Sequence, residues 1–175
     1  MGYDSEWLRD HVRDLADYPK PGVVFKDITP VLAIPEALTA SIDAVAAPFA
    51  AIEIDKVVGI EARGFVFAAP VAYGLGAGFV PVRKPGKLPW NVEREEYALE
   101  YGTDQLEIHQ DAIVAGERVL IVDDVLATGG TAAAAVRLVR KLGGVLIGCA
   151  FFIELGFLDG RSQLDGIDIH SVITY

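Results

Sequence analysis

Two adjacent carboxylates, Asp123 and Asp124, precede a turn of small and hydroxyl-bearing residues at 127–131, Ala-Thr-Gly-Gly-Thr. A turn without bulky side chains lets a phosphate approach the free backbone N–H groups at a helix start, and the two threonines add hydroxyl donors. Carboxylates repel phosphate, so the acidic pair must bind something else: sugar hydroxyls, or a Mg²⁺ ion held mostly through water. The spacing therefore predicts a ligand that carries a phosphate and a ribose with free hydroxyls.

The residues on either side predict the elements that position this turn. The aliphatic run at 119–122 is typical of a strand buried on both faces. The alanine-, arginine- and leucine-rich segment at 132–142 predicts a helix, which the glycine pair at 143–144 ends. A plain strand-to-helix turn is the simpler alternative, but two acids at the end of a buried strand would destabilise it without purpose.

Charged residues also follow two other predicted strands, at 56–60 and 79–82. Arg63 follows the first strand, and a Pro-Gly segment with three cations follows the second: Arg83, Lys84 and Lys87. Ligands of open α/β sheets bind beyond the carboxyl ends of the strands, so we expect these cations and the acidic pair to share one crevice. The predicted fold class is α/β, a mainly parallel twisted sheet flanked by helices, in a single domain spanning residues 1–175.

Two common phosphate-binding motifs do not fit. The P-loop requires a lysine after its second glycine, and this chain has no such sequence. The dinucleotide fingerprint must follow a strand and open a helix, whereas the Gly-x-Gly pairs at 74–78 follow a helical stretch and precede a strand. Neither class of nucleotide site is predicted.

Composition limits the partners. The chain has 175 residues, a net charge of −10 and 52% hydrophobic residues, which indicates a compact fold and argues against nucleic-acid or acidic membrane surfaces. The uncharged stretch at 64–82 is long enough to raise the question of a membrane span, but prolines and glycines interrupt it. The single cysteine, Cys149, has no partner for an intrachain disulfide, and we expect it to pack in the core of a cytoplasmic protein.

The segment at 119–131, VLIVDDVLATGGT, resembles the signature with which type I phosphoribosyltransferases bind 5-phosphoribosyl pyrophosphate (PRPP). Its Ala-Thr-Gly-Gly-Thr turn resembles that of the adenine phosphoribosyltransferases in that family, and segments between residues 18 and 158 follow the family's order. The resemblance implies the type I phosphoribosyltransferase fold, with a small N-terminal hood at about 1–34 on a core at about 35–175. It also implies a homodimer that catalyses a Mg²⁺-dependent step of purine salvage, in which adenine and PRPP give AMP and pyrophosphate through an oxocarbenium-like transition state.

By this resemblance Asp123 and Asp124 hold the ribose hydroxyls, and Arg63 acts beside them as a catalytic residue. The 5′-phosphate is bound by the turn residues Ala127, Thr128, Gly129, Gly130 and Thr131. The leaving pyrophosphate is bound by Arg63, Arg83, Lys84 and Lys87. Its charge grows as the bond to C1 breaks, so these cations stabilise the transition state more than the ground state. No residue is expected to ligate Mg²⁺ directly, because the ion binds through PRPP and water.

The segment at 18–30, which contains PGVVFKDITP, is similar to the part of the family's hood that covers the base. The resemblance implies that Phe25 stacks on one face of adenine and that backbone groups near Val24 and Lys26 bind its edge. Leu155 closes the other face, and Ala127 also borders the base. Many relatives have arginine where this chain has Lys26, and a lysine cannot make the planar forked contact of an arginine.

The segment at 97–102, YALEYG, is similar to the family motif whose glutamate is the general acid or base at the purine. Here that residue is Glu100, at the end of a cationic loop that we expect to be mobile and to close over the substrates. Two alternatives remain at this point. One is a hypoxanthine or xanthine phosphoribosyltransferase of the same fold, and the other is a PRPP-sensing regulator without catalysis.

Overall fold

The structure is a computed structural model that describes residues 4–98 and 102–175. Within these two ranges the helices are α1 (Ser5–Asp10), α2 (Thr29–Ala33), α3 (Pro35–Ala46), α4 (Gly64–Leu75) and α5 (Gly130–Lys141). The strands are β1 (Arg13–Ala16), β2 (Val24–Asp27), β3 (Lys56–Ile60), β4 (Gly78–Val82), β5 (Val92–Ala98), β6 (Thr103–His109), β7 (Arg118–Leu126), β8 (Val145–Glu154) and β9 (Ile169–Thr174). None of the helices in these ranges is both long enough and apolar enough to cross a membrane.

A five-stranded parallel sheet in the order β4-β3-β7-β8-β9 forms the centre of the molecule. From the boundary between β3 and β7, the order proceeds to β4 on one side and to β8 and β9 on the other. Such a reversal of strand order leaves a crevice beyond the carboxyl ends of the two strands, where α/β proteins bind ligands. The predicted α/β fold class is confirmed.

Both faces of the sheet are buried, which explains the continuous aliphatic runs of its strands. Val57 and Leu120 face α3 and α4 on one side, while Val58 and Ile121 face α5 and the β5–β6 hairpin on the other. Each of these four side chains is fully buried. Burial of such a side chain stabilises the fold by about 1.5–3 kcal/mol.

The helical spacing of the apolar residues at 6–16 predicts an amphipathic helix, but the structure has a shorter helix followed by a strand. Helix α1 is capped by the Asp4 carboxylate, which accepts hydrogen bonds from the N–H groups of Glu6 (3.0 Å) and Trp7 (3.2 Å). It ends at Asp10, and Arg13–Ala16 instead pairs antiparallel with β2, where Leu15 lies opposite Phe25. The tertiary pairing of backbone groups overrides the helical spacing of the apolar residues.

A second difference concerns the loop predicted after β4. Its described residues form a two-stranded antiparallel hairpin of β5 and β6, in which Val92 pairs with His109 and Tyr97 with Asp104. The Glu95 carboxylate anchors the hairpin on α5 by ion pairs with Arg137 (2.6 Å) and Lys141. The base of the predicted loop is therefore regular structure fixed to the core.

Candidate active site

The acidic pair lies inside β7, and not after it as predicted, because pairing with β8 continues as far as Leu126 and Glu154. The side chains are almost fully enclosed: Asp123 is 9% exposed and Asp124 is 6% exposed. The Asp124 N–H donates a hydrogen bond of 2.9 Å to Asp123 Oδ1. Two carboxylates are thus held side by side at the carboxyl edge of the sheet.

Burial raises the pKa of Asp123 well above its ordinary value, and the neighbouring Asp124 charge raises it further. Burial also raises the pKa of Asp124, although the Arg63 guanidinium opposes the shift. Arg63 Nε lies 2.6 Å from Asp124 Oδ2, yet the contact lacks hydrogen-bond geometry, and this oxygen has no hydrogen-bond partner within the described ranges. Burial therefore disfavours the charged form of both carboxylates. Asp124 Oδ2 can still accept a hydrogen bond from a ligand hydroxyl.

The first turn of α4 lies against this pair. A Cβ atom added at Gly64, the first residue of the helix, would lie 2.4 Å from Asp123 Oδ1. Only glycine allows this approach, because the contact is closer than any real Cβ contact. The Arg-Gly pair after β3 therefore places the Arg63 guanidinium beside Asp124 and the helix start beside Asp123.

The turn at 127–131 forms a small cavity of about 80 Å³ at the start of α5. Gly129 has φ +85° and precedes Gly130, the first residue of the helix. The cavity is lined by Asp123, Val125, Leu126, Ala127, Thr128, Gly129, Thr131 and Ala132. Its size and its helix start suit a phosphate group.

Gly160 packs directly against the backbone of this turn. A Cβ atom on Gly160 would lie 2.2 Å from the Ala127 carbonyl oxygen, and one on Gly129 would lie 2.3 Å from the Gly160 carbonyl oxygen. The adjacent Arg161 makes two hydrogen bonds of 2.7 Å to the Glu154 carboxylate. The ion pair and the glycine contact together fix the phosphate turn against the segment that follows β8.

A second cavity, of about 290 Å³, lies between the N-terminal segment and the sheet. All five residues predicted to bind adenine line it: Val24, Phe25, Lys26, Ala127 and Leu155. The other lining residues are Val23, Arg63, Asp124 and Val125. The Arg63 guanidinium carbon lies 5.1 Å from the centre of the Phe25 ring, so this cation contacts both the acidic pair and the aromatic wall.

The amino group of Lys26 is held outside this cavity. Its Nζ donates a hydrogen bond of 2.7 Å to Asp14 Oδ1 and lies 3.8 Å from the centre of the Tyr175 ring. Asp14 and Tyr175 do not line the cavity, so Lys26 borders the cavity while its charge is bound elsewhere.

The four residues predicted to bind pyrophosphate form two groups. Arg63 pairs with Asp124, whereas the others gather around the Glu61 and Asp104 carboxylates. Glu61 accepts hydrogen bonds from Arg83 Nε (3.1 Å), from the Lys84 N–H (3.0 Å) and from Lys87 Nζ. Lys84 Nζ pairs with Asp104.

Burial alone would raise the pKa of Glu61, but the hydrogen bonds from Lys87 and from the Lys84 N–H outweigh it and hold the pKa below its ordinary value. The Lys84 ion pair likewise lowers the pKa of Asp104. Both carboxylates are therefore charged at neutral pH and act as counter-ions of the predicted pyrophosphate site. The peptide bond between Glu61 and Ala62 is cis.

Glu100 lies outside the described residues. The hairpin strands on either side of it, β5 and β6, are held in place by hydrogen bonds. Glu107 is 1% exposed and accepts hydrogen bonds from the Gly86 N–H (3.0 Å) and from Arg94 Nε (2.7 Å). The Tyr97 hydroxyl of β5 donates across the hairpin to Asp104 Oδ2 of β6 (3.2 Å), and the same carboxylate pairs with Lys84.

A third, more open depression lies apart from this crevice. An open depression of about 610 Å³ beside Trp90 is larger than both cavities, but its lining comes from residues 90–94 and Gln110 and includes none of the predicted site residues. Within residues 4–98 and 102–175, no group of three or more His, Cys, Asp or Glu side chains is arranged to hold a metal ion. The chemistry therefore concentrates at the ends of β3, β4 and β7.

Several residues of the site were missed from the sequence. Glu61 stands directly before the predicted anion-binding turn, and an acid at that place was a signal that it balances nearby cations. No local sequence pattern indicates the roles of Asp104, Gly160 and Tyr175, because their contacts join segments that are distant in the chain.

Comparison with known proteins agrees with this geometry. The family model of the phosphoribosyl transferase domain matches residues 27–172. A curated relative from Thermobifida fusca (strain YX), named adenine phosphoribosyltransferase, is 59% identical over 175 residues and covers 99% of both chains. The crystal structure of adenine phosphoribosyltransferase from Rhodothermus marinus has a TM-score of 0.93 and 54% identity, covering 98% of both chains.

The enzyme of the same name from Saccharomyces cerevisiae, solved with an imino-altritol bisphosphate and adenine, has a TM-score of 0.91 and 41% identity, over 96% of this chain and 97% of that one. The resemblance identified in the signature at 119–131 is thus confirmed over nearly the whole length. The chain belongs to the phosphoribosyltransferase family and, within it, to the adenine phosphoribosyltransferases.

Proposed function

We propose that this protein transfers the 5-phosphoribosyl group of PRPP to N9 of adenine and releases AMP and pyrophosphate. One observation carries the proposal: the phosphate-sized cavity and the larger cavity share Val125 and Ala127 as a common wall. Asp123 lines the first cavity and Asp124 the second. A nucleoside monophosphate has the same order of parts, with a phosphate, a ribose that donates hydroxyls and a base.

The acidic pair would hold the sugar during the reaction. The 2′- and 3′-hydroxyls of the ribose would donate hydrogen bonds to Asp123 and Asp124. Oδ2 of Asp124 accepts no hydrogen bond from the described residues, and its ion pair with Arg63 would give way to a ribose hydroxyl. As the bond from C1 to pyrophosphate lengthens, positive charge develops on the sugar ring. Two enclosed carboxylates stabilise that charge more strongly than water does, because the surrounding dielectric is low.

The cations at the ends of β3 and β4 would receive the leaving group. Pyrophosphate offers several anionic oxygens in place of the single carboxylate of Glu61, so Arg83 and Lys87 would exchange one partner for the other. Arg63, between the acidic pair and this group, would move from Asp124 to pyrophosphate when the ribose hydroxyls take its place. Mg²⁺ that enters with PRPP would supply further positive charge, and the enclosed carboxylates suit its water ligands.

The larger cavity would hold the base. Phe25 would stack on one face of adenine and Leu155 would close the other, with backbone groups of Val24 and Lys26 at its edge. N9 loses its proton as it attacks C1, and we expect Glu100 to accept this proton. A closed site also keeps water from hydrolysing the activated sugar.

Two assignments at the level of the molecule complete the proposal. We expect a homodimer, which light scattering coupled to size-exclusion chromatography would detect as twice the chain mass of 18.8 kDa.

We also expect a cytoplasmic location with a reduced thiol at Cys149. This thiol is buried, and burial raises its pKa to about 12. Fractionation of cells that express the tagged protein would test the location.

The first experiment compares adenine, hypoxanthine, guanine and xanthine as acceptors, each with PRPP and Mg²⁺, by absorbance. AMP formed from adenine alone supports the proposed substrate, because the 6-amino group donates where a 6-oxo group accepts. Glu100→Ala should lower kcat by about 10²–10⁴-fold if the residue shares the N9 proton. Turnover of a 6-oxopurine in preference to adenine, or PRPP binding without any product, would overturn the proposal.

A further inference from the structure

We propose that Tyr175 is a positioning residue that holds the two walls of the 290 Å³ cavity at the separation required by a planar base. The inference rests on the proposed function of that cavity. One wall is the hood segment with Phe25 and Lys26, and the other wall is Leu155. Tyr175, which follows β9, contacts both walls through different parts of its structure.

The backbone of Tyr175 brackets Leu155. Its N–H donates a hydrogen bond of 2.9 Å to the Glu154 carbonyl, and its own carbonyl accepts one of 2.9 Å from the Gly156 N–H. The Leu155 N–H donates in the opposite direction to the Leu126 carbonyl, also at 2.9 Å. Leu155 is thus fixed from both sides, and the position of one cavity wall is tied to the backbone of Tyr175.

The ring of Tyr175 binds the hood. Lys26 Nζ lies 3.8 Å from the ring centre, and the guanidinium carbon of Arg9 lies 5.0 Å from it. Two cations on one aromatic ring are attracted by its quadrupole, and the Lys26 side chain is 12% exposed, so water screens the contact weakly. Lys26 belongs to β2 and adjoins Phe25, so the ring restrains the strand that carries the aromatic wall.

Two further contacts hold the same corner. Lys26 Nζ pairs with Asp14 of β1 (2.7 Å), and Arg9 of α1 donates a hydrogen bond of 2.9 Å to the Thr174 carbonyl. The hood is therefore attached to the end of β9 by cations that meet on Tyr175. A lysine suits this arrangement, because its long stem carries a compact charge to the face of the ring.

The arrangement predicts a selective effect on base binding. Tyr175 contacts the walls of the base cavity, whereas the sugar and phosphate groups are assigned to Asp123, Asp124 and the turn at 127–131. Loss of the ring should leave the hood less restrained, so the free cavity would be less often in the geometry that binds adenine. KM for adenine should rise, while KM for PRPP and kcat should change little.

The test compares Tyr175→Leu with Tyr175→Phe, which keeps the ring face and removes only the hydroxyl. We expect KM for adenine to rise about three- to tenfold in the leucine variant and to stay within twofold of wild type in the phenylalanine variant. KM for PRPP should stay within twofold in both. An unchanged KM for adenine in the leucine variant, or an equal rise of both KM values, overturns the inference.

A double-mutant cycle with Lys26→Met tests whether the contact between Lys26 and the Tyr175 ring is the one that affects KM for adenine. Methionine keeps an unbranched stem and removes the charge, so the effect of Tyr175→Leu on KM for adenine should be smaller in this background. Effects that simply multiply would show that the ring acts without Lys26 and would overturn the proposed coupling.

Amide hydrogen exchange tests the restraint of the hood independently of the proposed reaction, because it is measured without substrates. In the absence of substrates, the amides of Val24–Asp27 should exchange faster in the leucine variant than in wild type and the phenylalanine variant. Equal exchange in all three proteins contradicts the restraint whatever the activity. Absence of AMP formation by the wild-type protein would instead refute the proposed reaction.

Discussion

Arg63 Nε lies 2.6 Å from Asp124 Oδ2, at the point where the base cavity meets the carboxyl end of β7. The ion pair links the turn after β3 to the acidic pair in the adjacent strand. It lies at the reversal of strand order, so it occupies the place where a ribose would have to lie. Ribose hydroxyls would therefore compete with Arg63 for Asp124, and substrate binding should replace the ion pair.

Substitution of Asp124 by asparagine should separate catalysis from stability. We expect kcat to fall by about 10²–10³-fold, because the neutral amide does not stabilise positive charge on the sugar. The melting temperature should remain equal or rise, since burial disfavours the charged carboxylate. The matched control is Asp43→Asn on the exposed side of α3, which should leave kcat unchanged. An unchanged kcat in Asp124→Asn would exclude a catalytic role.

The raised pKa values of the acidic pair predict opposite effects of pH on activity and stability. Protonation weakens the acceptors of the ribose, so kcat/KM for PRPP should decrease as pH falls through the raised pKa values of the pair. The folded protein holds these protons more tightly than the unfolded chain, so the pair's contribution to stability should decrease as pH rises through the same values.

Urea unfolding across this pH range, with wild type and Asp124→Asn compared at each pH, measures the second effect. The difference in unfolding free energy should favour the variant increasingly as pH rises. A constant difference would mean that the pKa of Asp124 is the same in the folded and unfolded states.

Glu61 should compete with pyrophosphate for its cations. Its carboxylate pairs with Arg83 and Lys87, so Glu61→Gln removes a negative charge from the place where an anion is expected. We expect the variant to bind pyrophosphate about three- to tenfold more tightly in calorimetry without adenine. The control is Glu53→Gln, an exposed partner of Arg118 at the other edge of the sheet. Weaker binding in Glu61→Gln would show that ordering of the cations by Glu61 outweighs its repulsion of the ligand.

Gly160→Ala should damage the phosphate turn without touching a substrate. The new methyl group would lie 2.2 Å from the Ala127 carbonyl oxygen, so the turn has to shift. We expect a loss of about 1–3 kcal/mol in the free energy of unfolding and a higher KM for PRPP.

Gly74→Ala provides the comparison for this substitution. Apart from its chain neighbours and the backbone of its own helix, no heavy atom of the described residues lies within 4 Å of a Cβ added there. An alanine inside α4 should therefore stabilise the protein by about 0.5–1 kcal/mol. Similar KM values for PRPP in the two variants would contradict the role of Gly160.

The sheet could be predicted from the sequence because its strands are buried on both faces. The aliphatic runs of β3 and β7 and the alanine-rich α5 each signal their structure within one short segment. The limit of α1 could not be predicted, since the pairing of Leu15 with Phe25 depends on a second segment. Local pattern identifies the elements, and contacts between segments decide where they end.

The candidate site divides in the same way. Asp123 and the turn at 127–131 are adjacent in the chain, so their spacing alone predicted a phosphate and a ribose. Arg63 was predicted to lie with Arg83 on pyrophosphate, but in the free protein their carboxylate partners differ. No pattern in the sequence specifies which acid balances which cation when several of each sign meet at one edge.

The hydrogen bond from Arg9 to the Thr174 carbonyl has a consequence for synthesis of the protein. Ribosomes make α1 early and β9 late, at about 5–20 residues per second, so this contact between the hood and the sheet can form only after β9 has been made. The phosphate turn can form before that moment, because its partner Gly160 is made earlier than β9. A nascent chain should therefore form its phosphate turn before its hood is attached to β9, and a chain that ends before residue 169 should bind adenine more weakly than the full chain.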